Sequence, residues 1–329
     1  MNLVSMCKTW RARLNELLVR RDALVGINRR NVSFVYANNP RSAYPEADDK
    51  LLCKELMAAH DVSLARTLVI CDGLYAIPQT LEVLRTLEHF VLKPANSSGG
   101  AGIIVVGERC GDGVWKKASG NGQVTIDELR YRLGEIVFGA FSGDIDDCAF
   151  VEERIFPHRV FQDLWSGGLC DVRVITLDAL PFFAMVRVPT FESDGRANLH
   201  QGGIGLALDI TTGMTTRAYY RGRSITHHPE GGAALVGVQL PDWHGILDTA
   251  RRAAGSVRLG YLGVDVVVDE VRGPMVLEVN ARPGLEIQNV HGRGLAEALA
   301  QVRAQQQQTA TATTTTTTTT PTAPMMEAM

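Results

Sequence analysis

The chain is predicted to be an α+β protein whose strands lie in antiparallel sheets and whose core divides into lobes. Short β-branched segments recur along the sequence and are joined by tight turns, which is typical of antiparallel hairpins. Segments with apolar residues at helical spacing alternate with them. The 329 residues are 45% hydrophobic, enough to bury a large core, and a chain of this length is expected to form two or more lobes.

The most informative hairpin lies near the C-terminal end. Residues 263–268 and 275–284 are two strand-like runs separated by a turn at Glu270 to Gly273. Glu278 and Asn280 are two positions apart and therefore share one face of a strand, with Asp265 on the neighbouring strand. Carboxylate and amide oxygens are hard ligands, so the pattern indicates a magnesium site beside phosphates. A hairpin whose polar residues merely face solvent is the alternative.

A second hairpin is rich in glycine. An apolar strand ends at Lys93, a loop of serines and glycines follows, and a new β-branched strand begins at Ile103. The loop lacks the Gly-Lys-Ser/Thr pair of a Walker site, and no helical pattern follows the glycines as a Rossmann site requires. Glycine backbone can approach phosphate closely, and a lysine supplies a point charge, so a phosphate-binding lid is favoured over a plain surface hairpin. Its residues are Ser97, Ser98, Gly99, Gly100 and Gly102.

Charged residues also occur on strands between the two hairpins. Glu152 and Glu153 end a short apolar strand, where backbone and carboxylates can bind an adenine amino group or ribose hydroxyls. Asp171 and Arg173 alternate with valines and thus share a face, and Arg187 lies on the next strand. Each of these residues, taken singly, could equally form an ordinary surface ion pair. Together they fit a nucleotide pocket.

Helices are predicted where apolar residues recur at helical spacing. One covers residues 51–59, with Asp48 or Asp49 as its N-cap. Further helices are predicted at 126–138, 243–257 and 294–303, and an amphipathic helix at 10–25 is expected to pack on the main body. From Gln305 onward the chain is rich in Gln and Thr and is expected to be a disordered tail.

Composition argues against several classes of protein. The net charge is −3 and no basic run is present, which argues against a nucleic-acid partner. No run of eighteen apolar residues exists, so membrane insertion is not expected, and the N-terminus does not resemble a signal peptide. The six cysteines form no C-x-x-C pair, which is typical of a cytoplasmic protein. No zinc site is predicted.

The chain resembles the ATP-grasp superfamily, and within it the RimK-related alpha-L-glutamate ligase-like proteins. The resemblance runs from about residue 28 to about residue 299. The segments that carry it, in chain order, are 28–31, 39–41, 48–50, the loop from Lys93 to Gly102, 171–174, 197–203, 226–229 and 278–284. As an ordered series these motifs are highly specific for the superfamily and fairly specific for the subgroup.

The resemblance implies an ATP-grasp fold, in which two α/β lobes with antiparallel sheets clasp ATP between them. Residues 1–45 would form an N-terminal helical and extended segment, and 46–155 the small lobe with the glycine-rich lid. Residues 156–302 would form the large lobe with the magnesium site, and 303–329 the tail. One position departs from the family: Ala101 stands in the lid where many relatives carry an acidic residue.

The resemblance also implies roles for residues at matching positions. Lys50 and Lys93 would hold ATP phosphates while the loop closes over them, Glu152 would meet the adenine, and Glu153 is a weaker candidate for that contact. Three arginines are candidate catalytic residues: Arg187 as the cation on the transferred γ-phosphoryl group, Arg282 near the acyl phosphate or acceptor carboxylate, and Arg173. Asp171 would contact the ribose or support Arg173. The candidate ligands of Mg²⁺, with Mn²⁺ as an alternative, are Asp265, Glu278 and Asn280. Asn198 and His200 lie in a polar turn expected to line the cleft, where His200 has either a substrate-positioning or a purely structural role.

The implied activity is an ATP-dependent, ADP-forming ligase that joins a carboxylate to an amine or amino acid through an acyl phosphate. The carboxylate would belong to a small molecule or a peptide, and glutamate is the amino acid suggested by the resemblance. Two alternatives remain open: a phosphotransferase on the same scaffold, and an ATP-binding regulatory protein without catalysis. Neither the substrates nor the oligomeric state follow from the sequence.

Overall fold

The structure, a computed structural model, describes residues 23–97, 99–118 and 122–304. Residues 26–292 form one compact unit. A second unit includes residues 293–304, of which 295–304 are helical, as predicted for 294–303. The predicted amphipathic helix at 10–25 lies almost wholly outside the described residues, as do the predicted tail from Gln305 and Ser98 of the glycine-rich loop.

The described residues of the compact unit form thirteen strands in two sheets, and all the strand pairs among them are antiparallel. In the described ranges the helices are α1 (Ile27–Arg30), α2 (Tyr36–Asn38), α3 (Pro45–Asp48), α4 (Lys50–Ala58), α5 (Ile77–Arg85), α6 (Ile126–Val137), α7 (Arg159–Leu164), α8 (Trp243–Gly255) and α9 (Glu286–His291). The strands are β1 (Thr67–Cys71), β2 (Phe90–Pro94), β3 (Ile104–Gly111), β4 (Val114–Lys117), β5 (Gln123–Thr125), β6 (Ala149–Glu152), β7 (Asp171–Leu177), β8 (Leu180–Val188), β9 (Ile204–Leu208), β10 (Thr215–Tyr220), β11 (Arg223–Ile225), β12 (Tyr261–Asp269) and β13 (Gly273–Asn280). The predicted α+β class is confirmed.

The smaller sheet has six strands in the order β1-β6-β2-β3-β4-β5. Its core is built by α5 and α6, whose apolar faces contribute Leu84, Leu129 and Leu133 around the buried ring of Trp115. Helix α6 begins with a capping box in which Thr125 and Glu128 bond each other's backbone N–H groups, a motif worth about 1 kcal/mol. The pairing of β2 with β3 confirms the predicted glycine-loop hairpin.

The larger sheet has seven strands in the order β11-β10-β9-β8-β7-β12-β13. Valines of β7 and β12 face α8 on one side, as the alternation predicts, and form the main core with Ile246 and Ala250. The charged residues of the same strands therefore point to the opposite face. The predicted hairpin at 263–284 is confirmed as β12 and β13, and Val279 and Ala281 are buried on the apolar side.

Helix α4 begins one residue before the predicted start and is capped by Asp49, whose Oδ1 accepts the N–H groups of Leu51 and Leu52 at 2.9 and 3.1 Å. Its buried residues Cys53 and Met57 belong to the core of the larger sheet. The sequence division into lobes at residues 46 and 155 stays a prediction, because the described contacts divide the chain only at residues 26 and 293.

Candidate active site

Strand register brings charged residues from four strands onto one face of the larger sheet. Asp265 on β12 lies directly opposite Arg173 on β7 and opposite Glu278 on β13. Two residues before Arg173 on β7, Asp171 lies opposite Arg187 on β8. Side chains at directly paired positions project to the same face of a sheet, so these five residues form one cluster, here called the arginine–carboxylate cluster.

The centre of this cluster is the completely buried Asp265. Arg173 donates from Nε to Oδ1 and from Nη2 to Oδ2 at 2.6 Å, and Arg187 Nη2 donates to Oδ2 at 2.7 Å. Arg187 also holds Asp171 through two bonds of 2.6 Å. Burial by itself would raise the pKa of Asp265. The positive charges of Arg173 and Arg187 have the larger effect, so the pKa of Asp265 is lowered. Burial likewise opposes the charge on Arg187, yet the two aspartates raise its pKa above the ordinary value.

Glu278 and Asn280 are the more accessible of the three predicted magnesium ligands. The Glu278 side chain is 37% exposed, against none for Asp265. Asn280 Nδ2 donates to Asp265 Oδ2 and Glu278 Oε1 at 3.3 Å each, which leaves its amide oxygen for another partner. Among the described residues, no group of three or more His, Cys, Asp and Glu side chains is arranged to hold a metal ion. Both Asp265 oxygens are occupied by guanidinium groups in this arrangement.

A second cluster, here called the lysine cluster, lies on the smaller sheet and on α4. Glu152 at the end of β6 is 4% exposed and lies between two ammonium groups. Lys93 on β2 contacts Oε1, and Lys54 on α4 donates to Oε2 at 2.8 Å. Burial alone would raise the pKa of Glu152, but the two lysines lower it. With both oxygens bound to lysines, the carboxylate predicted to meet adenine is engaged elsewhere, and that contact stays a prediction.

Lys50 connects the two clusters. Its Nζ donates to the backbone oxygens of Ser97 at 2.6 Å and Ala95 at 3.3 Å, at the base of the glycine-rich loop. Burial lowers the pKa of Lys50, the negative charge of Glu278 opposes this, and the positive charge of Lys93 adds to it. The predicted phosphate-binding lysines and the predicted metal ligand Glu278 are therefore close enough to act on one another electrostatically.

The glycine-rich loop has a backbone conformation that favours glycine, and its role as a phosphate-binding lid stays a prediction. Gly99, Gly100 and Gly102 have φ angles of 63°, 76° and 76°, a region that side chains rarely adopt. Asp147 holds the start of the loop, because its carboxylate accepts the backbone N–H of Asn96 at 3.1 Å and the Asn96 amide at 2.9 Å. Asp147 was not singled out in the sequence, since nothing local marks an acid 51 residues away as a partner of the loop.

Three predicted site residues make their main contacts away from both clusters. Glu153 binds the backbone N–H of Arg66 at 2.9 Å and the guanidinium of Arg272 near the β12–β13 turn. Asn198 Oδ1 accepts the backbone N–H of the exposed His200 at 3.0 Å, so it caps a short turn. The loop that carries Asn198 and His200 approaches the glycine-rich loop, however. The side chain of the neighbouring Arg196 lies 3.6 Å from the position that a Cβ of Gly100 would occupy.

Arg282 lies beside the larger sheet at the end of β13. Its guanidinium lies 4.1 Å from the ring centroid of Tyr44, and its Nη1 is 3.8 Å from Asp48 Oδ2. These contacts hold it near the turn that precedes Lys50. Neither Lys54 nor Arg196 was predicted as a site residue, because both lie outside the segments that carry the family resemblance.

A family model described as sugar-transfer associated ATP-grasp matches residues 29–304, which include both sheets and both clusters. The chain belongs to this ATP-grasp family. The resemblance to the ATP-grasp superfamily drawn from the sequence is thereby confirmed. Membership in an ATP-grasp family supports an ATP-dependent ligase activity in general terms.

Individual relatives of this ATP-grasp chain are distant. It is 26% identical over 271 residues to a probable alpha-L-glutamate ligase of Xanthomonas oryzae pv. oryzae strain MAFF 311018, covering 81% of this chain and 68% of the relative. A probable alpha-L-glutamate ligase of Trichodesmium erythraeum strain IMS101 is 26% identical over 255 residues, covering 77% and 62%. A RimK domain ATP-grasp protein of Sphaerobacter thermophilus DSM 20745 is similar with a TM-score of 0.44 and 15% identity, covering 80% and 70%.

No helix in the described ranges combines the length and the apolar character that a bilayer-spanning segment needs.

Proposed function

We propose that this ATP-grasp chain is an ATP-dependent carboxylate–amine ligase that forms ADP, phosphate and an amide. The observation that carries the proposal is the position of Lys50, whose Nζ bonds the backbone oxygens of Ala95 and Ser97 at the base of the glycine-rich loop while the charge of Glu278 acts on it. Phosphoryl transfer needs cations that bind the phosphates and, beside them, hard oxygen donors that bind a metal ion.

In the proposed reaction the lysines bind the ATP phosphates. Lys93 and Lys50 supply point charges, and Gly99, Gly100 and Gly102 allow the backbone of the lid to approach the phosphate oxygens. Arg187 uses Nε and Nη2 for its aspartates, so Nη1 is the donor that would face the transferred phosphoryl group. Closure of the lid would exclude water, which would otherwise hydrolyse the acyl phosphate.

The predicted oxygen donors Glu278, Asn280 and Asp265 match a magnesium site in part. Glu278 and the amide oxygen of Asn280 are accessible hard donors, whereas Asp265 could join them only if a guanidinium released one of its oxygens. When bound, the ion would offset the negative charge of the phosphates. Mn²⁺ takes similar ligands and is the alternative ion.

The first chemical step would form a bond between a carboxylate oxygen of the substrate and the γ-phosphorus while the bond to the ADP oxygen breaks. An amine then attacks the acyl carbon, phosphate leaves with the bonding electrons, and the amine loses a proton. Arg282, Asn198 and His200 are proposed to position the acceptor. The names of the relatives suggest glutamate as the amine.

The test is ADP release by the purified protein with ATP and Mg²⁺ against a panel of carboxylates, each with and without amino acids, followed by mass analysis. The panel includes uronic acids, because the family is described as associated with sugar transfer. A ligase requires both partners and gives a product lighter by one water than their sum. A phosphorylated product without an amine would identify a phosphotransferase. ATP that binds but is never turned over would identify a regulatory protein.

A further inference from the structure

Two lysines share one buried carboxylate in the lysine cluster, although only one of them matches a phosphate-binding position. The exposed fractions of the side chains are 5% for Glu152, 9% for Lys93 and 17% for Lys54. In the described part of the chain, Glu152 is the ion-pair partner of Lys93. Lys93 must therefore leave or share this carboxylate before it can hold a phosphate.

Lys54 differs from Lys93 in how firmly it is held. Its Nζ donates to Glu152 Oε2 at 2.8 Å and to the backbone oxygen of Ala65 at 2.5 Å, and it lies 5.8 Å from the centroid of the Phe150 ring. These partners come from two segments of the chain, strand β6 and Ala65 before β1. Lys54 is thus fixed against the smaller sheet, one helical turn after Lys50 on α4.

We infer that Lys54 is a positioning residue: it remains on Glu152 as a counter-ion and so allows Lys93 to transfer from Glu152 to an ATP phosphate. A buried carboxylate without a partner is strongly disfavoured, so Lys93 could not be released if it were the only cation on Glu152. With Lys54 in place, Glu152 keeps a partner when Lys93 moves. This inference rests on the proposed function, because it assumes that Lys93 binds ATP.

The experiment measures the dissociation constant of Mg·ATP for the full chain by calorimetry, with thermal unfolding recorded for every variant. Lys54→Met should weaken binding about tenfold, since Lys93 would then be retained by Glu152. Lys54→Arg keeps the charge and should bind like the parent protein. Lys116→Met is the matched control, because Lys116 lies on the same sheet and its ion pair among the described residues is with the exposed Glu108 at 3.0 Å.

The decisive variant is Lys54→Met combined with Glu152→Gln. Removing the carboxylate releases Lys93, so this double variant should bind Mg·ATP within about twofold of Glu152→Gln alone, the single variant that reports any contact between Glu152 and adenine. If Lys54 were merely structural, a folded Lys54→Met protein would bind ATP normally, and that result would overturn the inference. A folded double variant that binds about tenfold more weakly than Glu152→Gln alone would overturn it as well, because the effect of Lys54 would then not depend on the carboxylate. A parent protein that binds no ATP would instead refute the proposed function together with this inference.

Discussion

The arginine–carboxylate cluster and the lysine cluster use their charges in opposite ways. In the first, Arg173 and Arg187 form paired, planar bonds to Asp171 and Asp265 across neighbouring strands. In the second, Lys93 and Lys54 share Glu152, and Lys50 beside this cluster bonds carbonyl oxygens of the loop. Guanidinium forks suit a fixed arrangement, whereas a single ammonium group exchanges partners easily. The larger sheet therefore supplies a rigid half of the site and the smaller sheet an exchangeable half.

The largest expected effect follows from breaking the rigid half. Arg187→Met would leave Asp171 buried without its main partner, and should lower the free energy of unfolding by about 3–5 kcal/mol. Urea denaturation of the variant and the parent measures this. Arg251→Met, which removes an exposed pair with Asp248 on α8, is the control and should change stability by no more than about 0.5 kcal/mol. A loss at Arg187 as small as the control's would contradict a rigid cluster.

The next prediction separates function from stability within the larger sheet. Glu278→Gln should reduce magnesium-dependent turnover by more than about a hundredfold, because one charged metal donor is lost. Its stability should change by less than about 1 kcal/mol, since the side chain is 37% exposed.

Glu270→Gln makes the same chemical change at the exposed turn of the same hairpin and should leave turnover unaltered. Turnover is measured as ADP release and stability by urea denaturation. A Glu278→Gln protein as active as its parent would remove Glu278 from the site.

A third prediction concerns the exchangeable half. Lys50→Met should weaken Mg·ATP binding about tenfold while changing the free energy of unfolding by less than about 1 kcal/mol. The Lys50 ammonium bonds carbonyl oxygens, and burial disfavours its charged form. Removing it therefore leaves none of the described buried carboxylates without a partner. Calorimetry and urea denaturation test the two parts. A stability loss as large as that expected for Arg187→Met would erase the distinction between the two halves.

The smallest effect is expected at Asp269, an acid of the larger sheet outside both clusters. Burial opposes its charge, but bonds from Arg272 and from the N–H groups of Phe156 and Val271 lower the pKa of Asp269 to about 2. Since this lies below the unfolded value of about 3.9, the stabilisation is complete above about pH 4 and is lost as pH falls through 2.

Asp269→Asn should therefore cost about 1 kcal/mol at pH 7, because the amide oxygen retains part of the bonding, and the difference should vanish near pH 2. Denaturation at both pH values tests this. A difference that persists at pH 2 would show that charge is not its source.

Local sequence patterns predicted much of the fold and part of the site. The two-residue spacing of Glu278 and Asn280 was enough to assign them to one face, and Asp49 was recognised as a helix cap. The engagement of Glu152 with Lys54 could not be predicted in this way, because the two residues are 98 positions apart and lie on different elements. The same holds for Glu153, whose partner Arg272 is 119 positions away.

The sequence by itself determined the two hairpins, the glycine-rich loop and the approximate boundaries of α4, α6 and α8, because backbone preference and side-chain periodicity act over a few residues. Only the tertiary structure decided which charges neutralise each other. The order β8-β7-β12-β13 aligns Arg173 with an aspartate 92 positions away and gives that aspartate two guanidinium partners. Strand order and register are set by burial of the whole sheet, and no local pattern records them.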